Sequence, residues 1–170
     1  ILAYSLIYTP LKYKTPLALV IGAFPGAMPP LLGWTAVSNK IDIASLALFG
    51  VLFAWQMPHF IAIAIYHKED YSKAGIKVVS VIRGDYIAKI QALLWTLVLI
   101  GFTFTLVPLS VGGEVYFIFA AVLGIWFLRL SIIGLKNNVL PNWPRKFFLA
   151  SLVYLPVLVL GLVADRFFWM

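Results

Sequence analysis

The stretch from Ile43 to Ile65 contains no formally charged residue. A helix needs about 20 apolar residues to cross the hydrocarbon core of a bilayer, so a run of this length predicts a membrane-spanning helix. The rest of the chain is similar, since 63% of its 170 residues are hydrophobic and only 11% are charged. Soluble domains carry roughly 25% charged residues. We therefore expect lipid to be the solvent for much of this surface.

Apolar runs and polar breaks predict an all-α, polytopic transmembrane bundle that forms a single domain over residues 1–170. The breaks "SNKID", "SVGGE" and "KNNVLPNWPRK" and a long charged segment separate the runs. The predicted spans are the end of one helix at 1–8 and five full helices at 16–37, 43–66, 86–109, 115–135 and 147–164. The chain begins inside an apolar run, so we expect it to be part of a longer protein. It has no cysteine, which excludes disulfides and thiolate metal sites.

Lys and Arg are distributed unevenly between the two sides of the predicted membrane. Only Lys40 and Arg166 fall on one side, and the other 11 of the 13 basic residues fall on or near the opposite side. Basic loops are retained in the cytoplasm, so the loops 9–15, 67–85 and 136–146 are predicted to be cytoplasmic. This asymmetry explains the net charge of +7 without a nucleic-acid partner.

The segment 67–85, which we call the charged connection, mixes acids with bases. Residues 66–90 hold 8 of the 19 formal charges, namely Lys68, Glu69, Asp70, Lys73, Lys77, Arg83, Asp85 and Lys89. Membrane anchoring needs only the bases. Carboxylates can hold Mg²⁺ beside substrate phosphates, and Lys and Arg can take the remaining phosphate charge. The mixture suits a diphosphate, although a solvated loop with incidental ion pairs would have the same composition.

The helix before the charged connection contains the polar motif "WQMPHF". Polar side chains inside a membrane span are costly and are candidates for function, whereas Pro58 is expected to kink the helix. At 100° per residue, Gln56, His59, Tyr66 and Asp70 would share one stripe if the helix continued into the connection. A histidine that bonds a neighbouring backbone carbonyl is an equally good interpretation of His59.

The first full span, "PLALVIGAFPGAMPPLLGW", is irregular because it contains Pro25, Pro29 and Pro30. Prolines inside a span leave carbonyl groups without their helical partners. Such backbone is tolerated in a membrane where it is buried in protein or lines a cavity. Tight packing through Gly22 and Gly26 would explain the same composition without a cavity.

Several motifs resemble one family. "YTPLKYKTP", "GAFPGAMPPLLGW", "FAWQMPHFIAIAIYHKEDYSKAGIKV" and "VIRG" are similar to the protohaem IX farnesyltransferases (haem O synthases) among the UbiA-type intramembrane prenyltransferases. The resemblance covers residues 4–84 closely and the later spans by hydropathy and loop order. It implies the C-terminal portion of a nine-helix fold with two acid-rich motifs that bind Mg²⁺ and diphosphate. The charged connection would be the second motif, and the first is absent from this chain.

The resemblance implies transfer of the farnesyl group of farnesyl diphosphate to a vinyl group of haem B, giving haem O. It implies Asp70 as the main Mg²⁺ ligand, with Glu69 second. The acting residues in the charged connection would be Asp70, Lys68, Lys73 and Arg83. The residues that contact haem or the allylic cation would be His59, Tyr66, Trp55 and Gln56. The isolated chain is expected to be inactive without the first motif.

Three other functions remain open from the sequence. The chain could belong to an intramembrane prenyltransferase for an aromatic acid such as 4-hydroxybenzoate, to a transporter with proline-broken helices, or to a non-catalytic assembly partner. The expected location is a bacterial inner membrane, with the lipid bilayer, farnesyl diphosphate and haem B as partners. Contact with haem A synthase or oxidase assembly proteins is a further expectation.

Overall fold

The computed structural model describes residues 8–136 and 142–168, and this part of the chain is helical without a strand. Five segments are long and apolar enough to cross a membrane, which confirms the predicted polytopic helical bundle. Almost all of the span end predicted at 1–8 lies outside the described residues. The helices are α1 (Thr9–Leu11), α2 (Ala18–Gly26), α3 (Met28–Ser38), α4 (Ile43–Tyr66), α5 (Lys68–Lys73), α6 (Val79–Ile82), α7 (Asp85–Thr105), α8 (Glu114–Gly134) and α9 (Trp143–Phe168).

Helix α4 is the centre of the bundle. It packs against α7 and α9 and also against α2 and α3, while α8 packs against α7 and α9. Small side chains at Ala54 and Ala62 of α4 and at Ala88 and Ala92 of α7 are almost completely buried. Small residues allow close backbone approach between helices in a membrane. In the most apolar part of α4, 56% of the residues are buried, whereas 11% are buried in the corresponding part of the α2–α3 span. The α2–α3 span therefore lies at the periphery of the described bundle.

The first span is broken into α2 and α3 at Ala27. Pro29 and Pro30 open α3 and have no amide hydrogen, so they cannot bond the carbonyls of Pro25 and Gly26. The helix ends there, and the Ala27 amide instead bonds the carbonyls of α2. The prolines therefore produce two short helices in one span.

Helix α4 begins with a capping box. The Ser45 amide donates to Asp42 Oδ1 at 2.9 Å, and the Asp42 amide donates to Ser45 Oγ at 3.0 Å. The backbone hydrogen bond from Ser45 is the main cause that lowers the pKa of Asp42 below its ordinary value. Trp34 of α3 also donates its indole N–H to Asp42 Oδ2 at 3.3 Å. The cap therefore fixes the turn between α3 and α4.

The start of α8 is capped by a residue from α9. The Asp165 carboxylate is 7% exposed and accepts hydrogen bonds from the amides of Gly113, Val115 (3.1 Å) and Tyr116 (3.4 Å). A carboxylate at a helix N-terminus satisfies free amides and interacts favourably with the helix dipole. Asp165 therefore has a structural partner at the end of the bundle away from the charged connection.

Three helix ends differ by four residues from the predicted spans, namely the end of α7 and both ends of α9. Helix α9 begins at Trp143, before the charged pair Arg145 and Lys146. Pro144 is compatible with a first helical turn, because the first amides have no helical acceptor in any case. Helix α7 ends at Thr105, because Pro108 disfavours helical backbone before it.

Candidate functional site

A cavity of about 320 Å³ lies where the N-terminal segment, α4 and the charged connection meet. Its polar lining comes from loops and short helices at the ends of the spans, and its apolar lining comes mainly from α2, α4 and α6. The polar lining residues include Lys12, Tyr71, Lys77 and Ser80, and the apolar ones include Leu19, Phe60, Ile61 and Val79. The cavity is therefore lined by two lysine residues and by apolar side chains, and the Lys12 ammonium group lies 5.1 Å from the centre of the Tyr13 ring.

Two hydrogen bonds fold the charged connection over this cavity. The Lys77 amide donates to the Lys12 carbonyl at 2.9 Å, which ties the connection to the N-terminal loop. The buried Ser80 hydroxyl donates to the Ala64 carbonyl near the end of α4 at 2.8 Å. Gly75 follows α5 with a φ of 68°, a left-handed conformation that glycine adopts without steric cost. The chain therefore turns back over α4.

Asp70 and Glu69 lie in the first turn of α5 and are exposed. Asp70 Oδ2 is 3.1 Å from His67 Nδ1. Adjacent helical positions point about 100° apart, so the two carboxylates do not face each other. Among the described residues, no group of three or more His, Asp or Glu side chains could hold a metal ion. A metal here would need oxygen ligands from a substrate or from other parts of the protein.

The three predicted basic residues of the charged connection lie outside the cavity lining. Lys68 Nζ forms an ion pair with Asp85 Oδ1 at 2.9 Å, which joins the start of α5 to the start of α7. Lys73 and Arg83 are exposed at the ends of α5 and α6. Their roles stay predictions, since the structure describes only their positions.

His59 faces α9. Its Nδ1 is 2.8 Å from Ser151 Oγ, and its ring stacks on Trp55 with centroids 4.8 Å apart. The centroid of the Phe148 ring lies 4.9 Å from that of the His59 ring. The Trp55 indole N–H donates to the Ser151 carbonyl at 2.7 Å. Trp55 and His59 are therefore both held by the same serine.

Gln56 and Tyr66 have different neighbours from His59. The Gln56 side-chain amide is buried and donates to the Ala23 carbonyl of α2 at 3.3 Å. Tyr66 is 52% exposed at the end of α4, with its ring against His67. Helix α4 ends at Tyr66 and α5 starts at Lys68, so the single stripe expected from a continuous helix does not form.

Sequence reasoning missed Lys12, Tyr71 and Lys77 as lining residues and Ser151 as the partner of His59. The sequence pattern places Lys12 among the orienting bases of a loop and Lys77 among the mixed charges of the connection, and neither pattern predicts that both residues line one cavity. The motif "LKYKT", just before the proline-rich span, was the available signal for Lys12. Ser151 is one hydroxyl in an apolar run, and its sequence context gives no sign of the contact.

Residues 1–152 match the UbiA prenyltransferase family. The chain is 43% identical over 166 residues to "Protoheme IX farnesyltransferase" of Anaeromyxobacter dehalogenans (strain 2CP-C), with 98% of this chain and 56% of that protein covered. The same values hold for the protein of that name from Myxococcus xanthus (strain DK1622). The one from Sorangium cellulosum (strain So ce56) is 43% identical over 163 residues, covering 96% of this chain and 58% of that protein. The chain thus spans about half the length of the curated relatives it matches. No solved structure matches it.

Proposed function

Since the chain belongs to the UbiA prenyltransferase family, we propose that the full-length protein transfers the farnesyl group of farnesyl diphosphate to a vinyl group of haem B, giving haem O. The name of the relatives, protoheme IX farnesyltransferase, supports both substrates. Five membrane-spanning helices suit a reaction between two largely apolar molecules.

The cavity under the charged connection is the observation that carries this proposal. Its volume of about 320 Å³ lies at the lower end of the range of roughly 300–1,000 Å³ for small-molecule sites. Bases from two loops and apolar side chains from the spans line the same space. This combination suits one elongated molecule with an anionic head and a hydrocarbon tail, as in an isoprenoid diphosphate.

The diphosphate end of that substrate would contact lysine and arginine side chains. Lys12 and Lys77 line the cavity and are added here to the three predicted contacts, Lys68, Lys73 and Arg83. Ammonium and guanidinium groups form strong charge-assisted hydrogen bonds with phosphate oxygens. Lys68 would have to share its ammonium group between Asp85 and the substrate. The exposed side chains of Lys73 and Arg83 are free to turn towards an incoming diphosphate.

Asp70, with Glu69 as a second ligand, would hold Mg²⁺. The exposed carboxylates fit an ion that binds through one or two carboxylates plus substrate phosphates. They do not fit an all-protein cage, because the described residues contain no larger ligand group. When bound, Mg²⁺ neutralises negative charge on the diphosphate. The hydrogen bond that Asp70 Oδ2 accepts from His67 Nδ1 would orient this carboxylate at the start of α5.

In the proposed reaction, the bond between C1 of the farnesyl group and the diphosphate oxygen breaks. The electron pair leaves with the diphosphate, whose charge the basic side chains stabilise. The π electrons of the haem vinyl group then form a C–C bond to the allylic cation. Water adds to the resulting cation and releases one proton, which gives the hydroxyethylfarnesyl group. The aromatic faces of Tyr66 and Trp55 are candidates to stabilise the cationic stages.

His59 would contact haem B through its iron, for which imidazole is a common ligand. His59 directly precedes Phe60, which lines the cavity. The proposed haem contact and the proposed isoprenoid site would therefore lie on neighbouring faces of α4, with His59 towards α9 and Phe60 towards the cavity. Gln56, one turn earlier, would support the haem side through its link to α2.

The charged connection would face the cytoplasm of a bacterial cell, with the protein in the inner membrane. The uneven distribution of Lys and Arg supports this orientation. Soluble farnesyl diphosphate would then reach the cavity from the cytoplasmic side. Contact with haem A synthase or oxidase assembly proteins would give the product a direct route onward.

The test uses membranes that contain the full-length protein, haem B, farnesyl diphosphate and Mg²⁺, with haem O measured by mass spectrometry. We expect haem O from the wild type. Lys12→Ala and Lys77→Ala should each raise the KM for farnesyl diphosphate about tenfold, the equivalent of one charged hydrogen bond. Lys146→Ala is the matched control, since this exposed lysine of α9 lies outside the cavity lining.

Prenylation of 4-hydroxybenzoate in place of haem B by the same membranes would support the alternative enzyme of this family. Unchanged KM values for both cavity variants, with haem O still formed, would remove the cavity from the proposed isoprenoid site.

A further inference from the structure

Ser151 is completely buried on α9 and has polar contacts to three residues. Its Oγ lies 2.8 Å from His59 Nδ1 and 2.6 Å from the Phe148 carbonyl oxygen. Its own carbonyl accepts the Trp55 indole N–H at 2.7 Å. The hydroxyl is thus placed between a ring nitrogen and a carbonyl, and each neighbour restricts where its proton can be.

A count of protons decides the direction of both hydroxyl contacts. A carbonyl oxygen has no proton to give, and a serine hydroxyl has one. Two oxygens 2.6 Å apart require a proton between them, because otherwise their lone pairs would repel. Ser151 therefore donates to Phe148. Its Oγ can then only accept from His59, so Nδ1 of His59 must carry a proton.

A neutral imidazole with its proton on Nδ1 has a free electron pair on Nε2. Within the described residues, the hydrogen bond recorded for His59 is the one at Nδ1. Stacking on Trp55 and contact with the tilted ring of Phe148 fix the plane of the ring. Nε2 is therefore held in one direction with its electron pair unused by this part of the protein.

We propose that Ser151 is a positioning residue that locks His59 in the Nδ1–H tautomer and leaves Nε2 as the electron-pair donor for the iron of the haem substrate. The tautomer follows from the contacts within this chain, whereas binding of Nε2 to the haem iron rests on the proposed function. Partners that orient a metal-binding histidine through its second nitrogen typically change affinity 10- to 100-fold when they are removed.

The first arm of the test is nitrogen NMR of the full-length protein in detergent, labelled with ¹⁵N-histidine and free of haem. Loss of one signal set in His59→Gln identifies the His59 ring. We expect a protonated Nδ1 and an unprotonated Nε2 in the wild type, and exchange with the other tautomer in Ser151→Ala. A wild-type ring protonated on Nε2, or an unchanged tautomer in Ser151→Ala, would overturn the proposal.

The second arm is haem B titration followed by absorbance. Ser151→Ala should weaken iron-linked binding about 10- to 100-fold. Ser131→Ala is the matched control, because it removes a hydroxyl that is equally buried but has no hydrogen-bond partner among the described residues.

The two arms separate two kinds of failure. If His59→Gln binds haem like the wild type, the haem role in the proposed function fails, and the NMR result still decides the tautomer. If His59→Gln weakens binding and Ser151→Ala does not, the positioning role of Ser151 is overturned.

Discussion

Replacing Gly134 with alanine should destabilise the contact between the end of α8 and the start of α9. A Cβ at this position would collide with the Trp143 indole, which is 3% exposed. The indole donates to the Leu130 carbonyl at 2.8 Å and stacks on Phe147 at 4.9 Å. Losing a buried hydrogen bond costs about 1–3 kcal/mol, and the ring pair contributes about 0.5–1.5 kcal/mol. The gain in helix propensity is about 1 kcal/mol. The expected net loss is about 0.5–3.5 kcal/mol.

The measurement is reversible unfolding of the full-length protein in mixed micelles, followed by circular dichroism. Gly101→Ala is the control, because nothing lies within 4 Å of a Cβ built at this helical glycine. It should be neutral or stabilising by up to about 1 kcal/mol. If Gly134→Ala is as stable as Gly101→Ala, the close approach of Trp143 to α8 is wrong, and so is the helix pairing derived from it.

Three further predictions concern the loops. Asp70→Asn in the full-length protein should lower haem O formation roughly a hundredfold, as loss of electrostatic stabilisation does elsewhere, with Glu69→Gln less affected; near-normal turnover of Asp70→Asn would exclude it as the main metal ligand. Single cysteines at Ser72 and Ser38 should react with an impermeant thiol reagent from opposite sides of the membrane, and reaction of both from the periplasm would reverse the topology. The pKa of Asp42 is lowered in the folded protein, so its contribution to stability is present above its unfolded pKa and is lost as the pH falls through the lower folded pKa. The stability advantage over Asp42→Asn should therefore be constant near neutral pH, begin to fall near pH 4, and disappear only below the folded pKa. A constant difference at all pH values would exclude this titration.

The membrane architecture was predictable from the sequence because hydropathy is a local property. The uncharged run from Ile43 to Ile65 is apolar enough to require a lipid environment. Helix α4 covers Ile43–Tyr66, one residue more than this run. The break in the first span was predictable for the same reason, since Pro29 and Pro30 remove hydrogen bonds wherever they occur. The start of α9 was harder to predict, because the charged residues Arg145 and Lys146 resemble part of the preceding loop although they lie in the first turns of the helix.

The candidate site was only partly predictable. The charge mixture identified the connection that covers the cavity, and the roles of Asp70, Glu69 and the nearby bases remain predictions. The stripe on α4 could not be derived reliably, because it assumed that the helix continued past Tyr66. The Gln56 side chain bonds α2 and the His59 side chain contacts α9. Helical periodicity gives the angle at which a side chain leaves its helix, but it does not say which neighbouring helix lies there.

The sequence by itself determined that the described residues contain five segments long and apolar enough to cross a membrane, and which connection is most highly charged. Only the tertiary structure decided which side chains meet. Lys12 reaches Lys77 through a backbone bond, Ser151 of α9 orients His59 of α4, and Asp165 caps a helix that begins 51 residues earlier. The physical reason is that spanning depends on the summed transfer free energy of neighbouring residues. A hydrogen bond depends instead on the mutual position of two atoms, which is fixed only once the helices have packed.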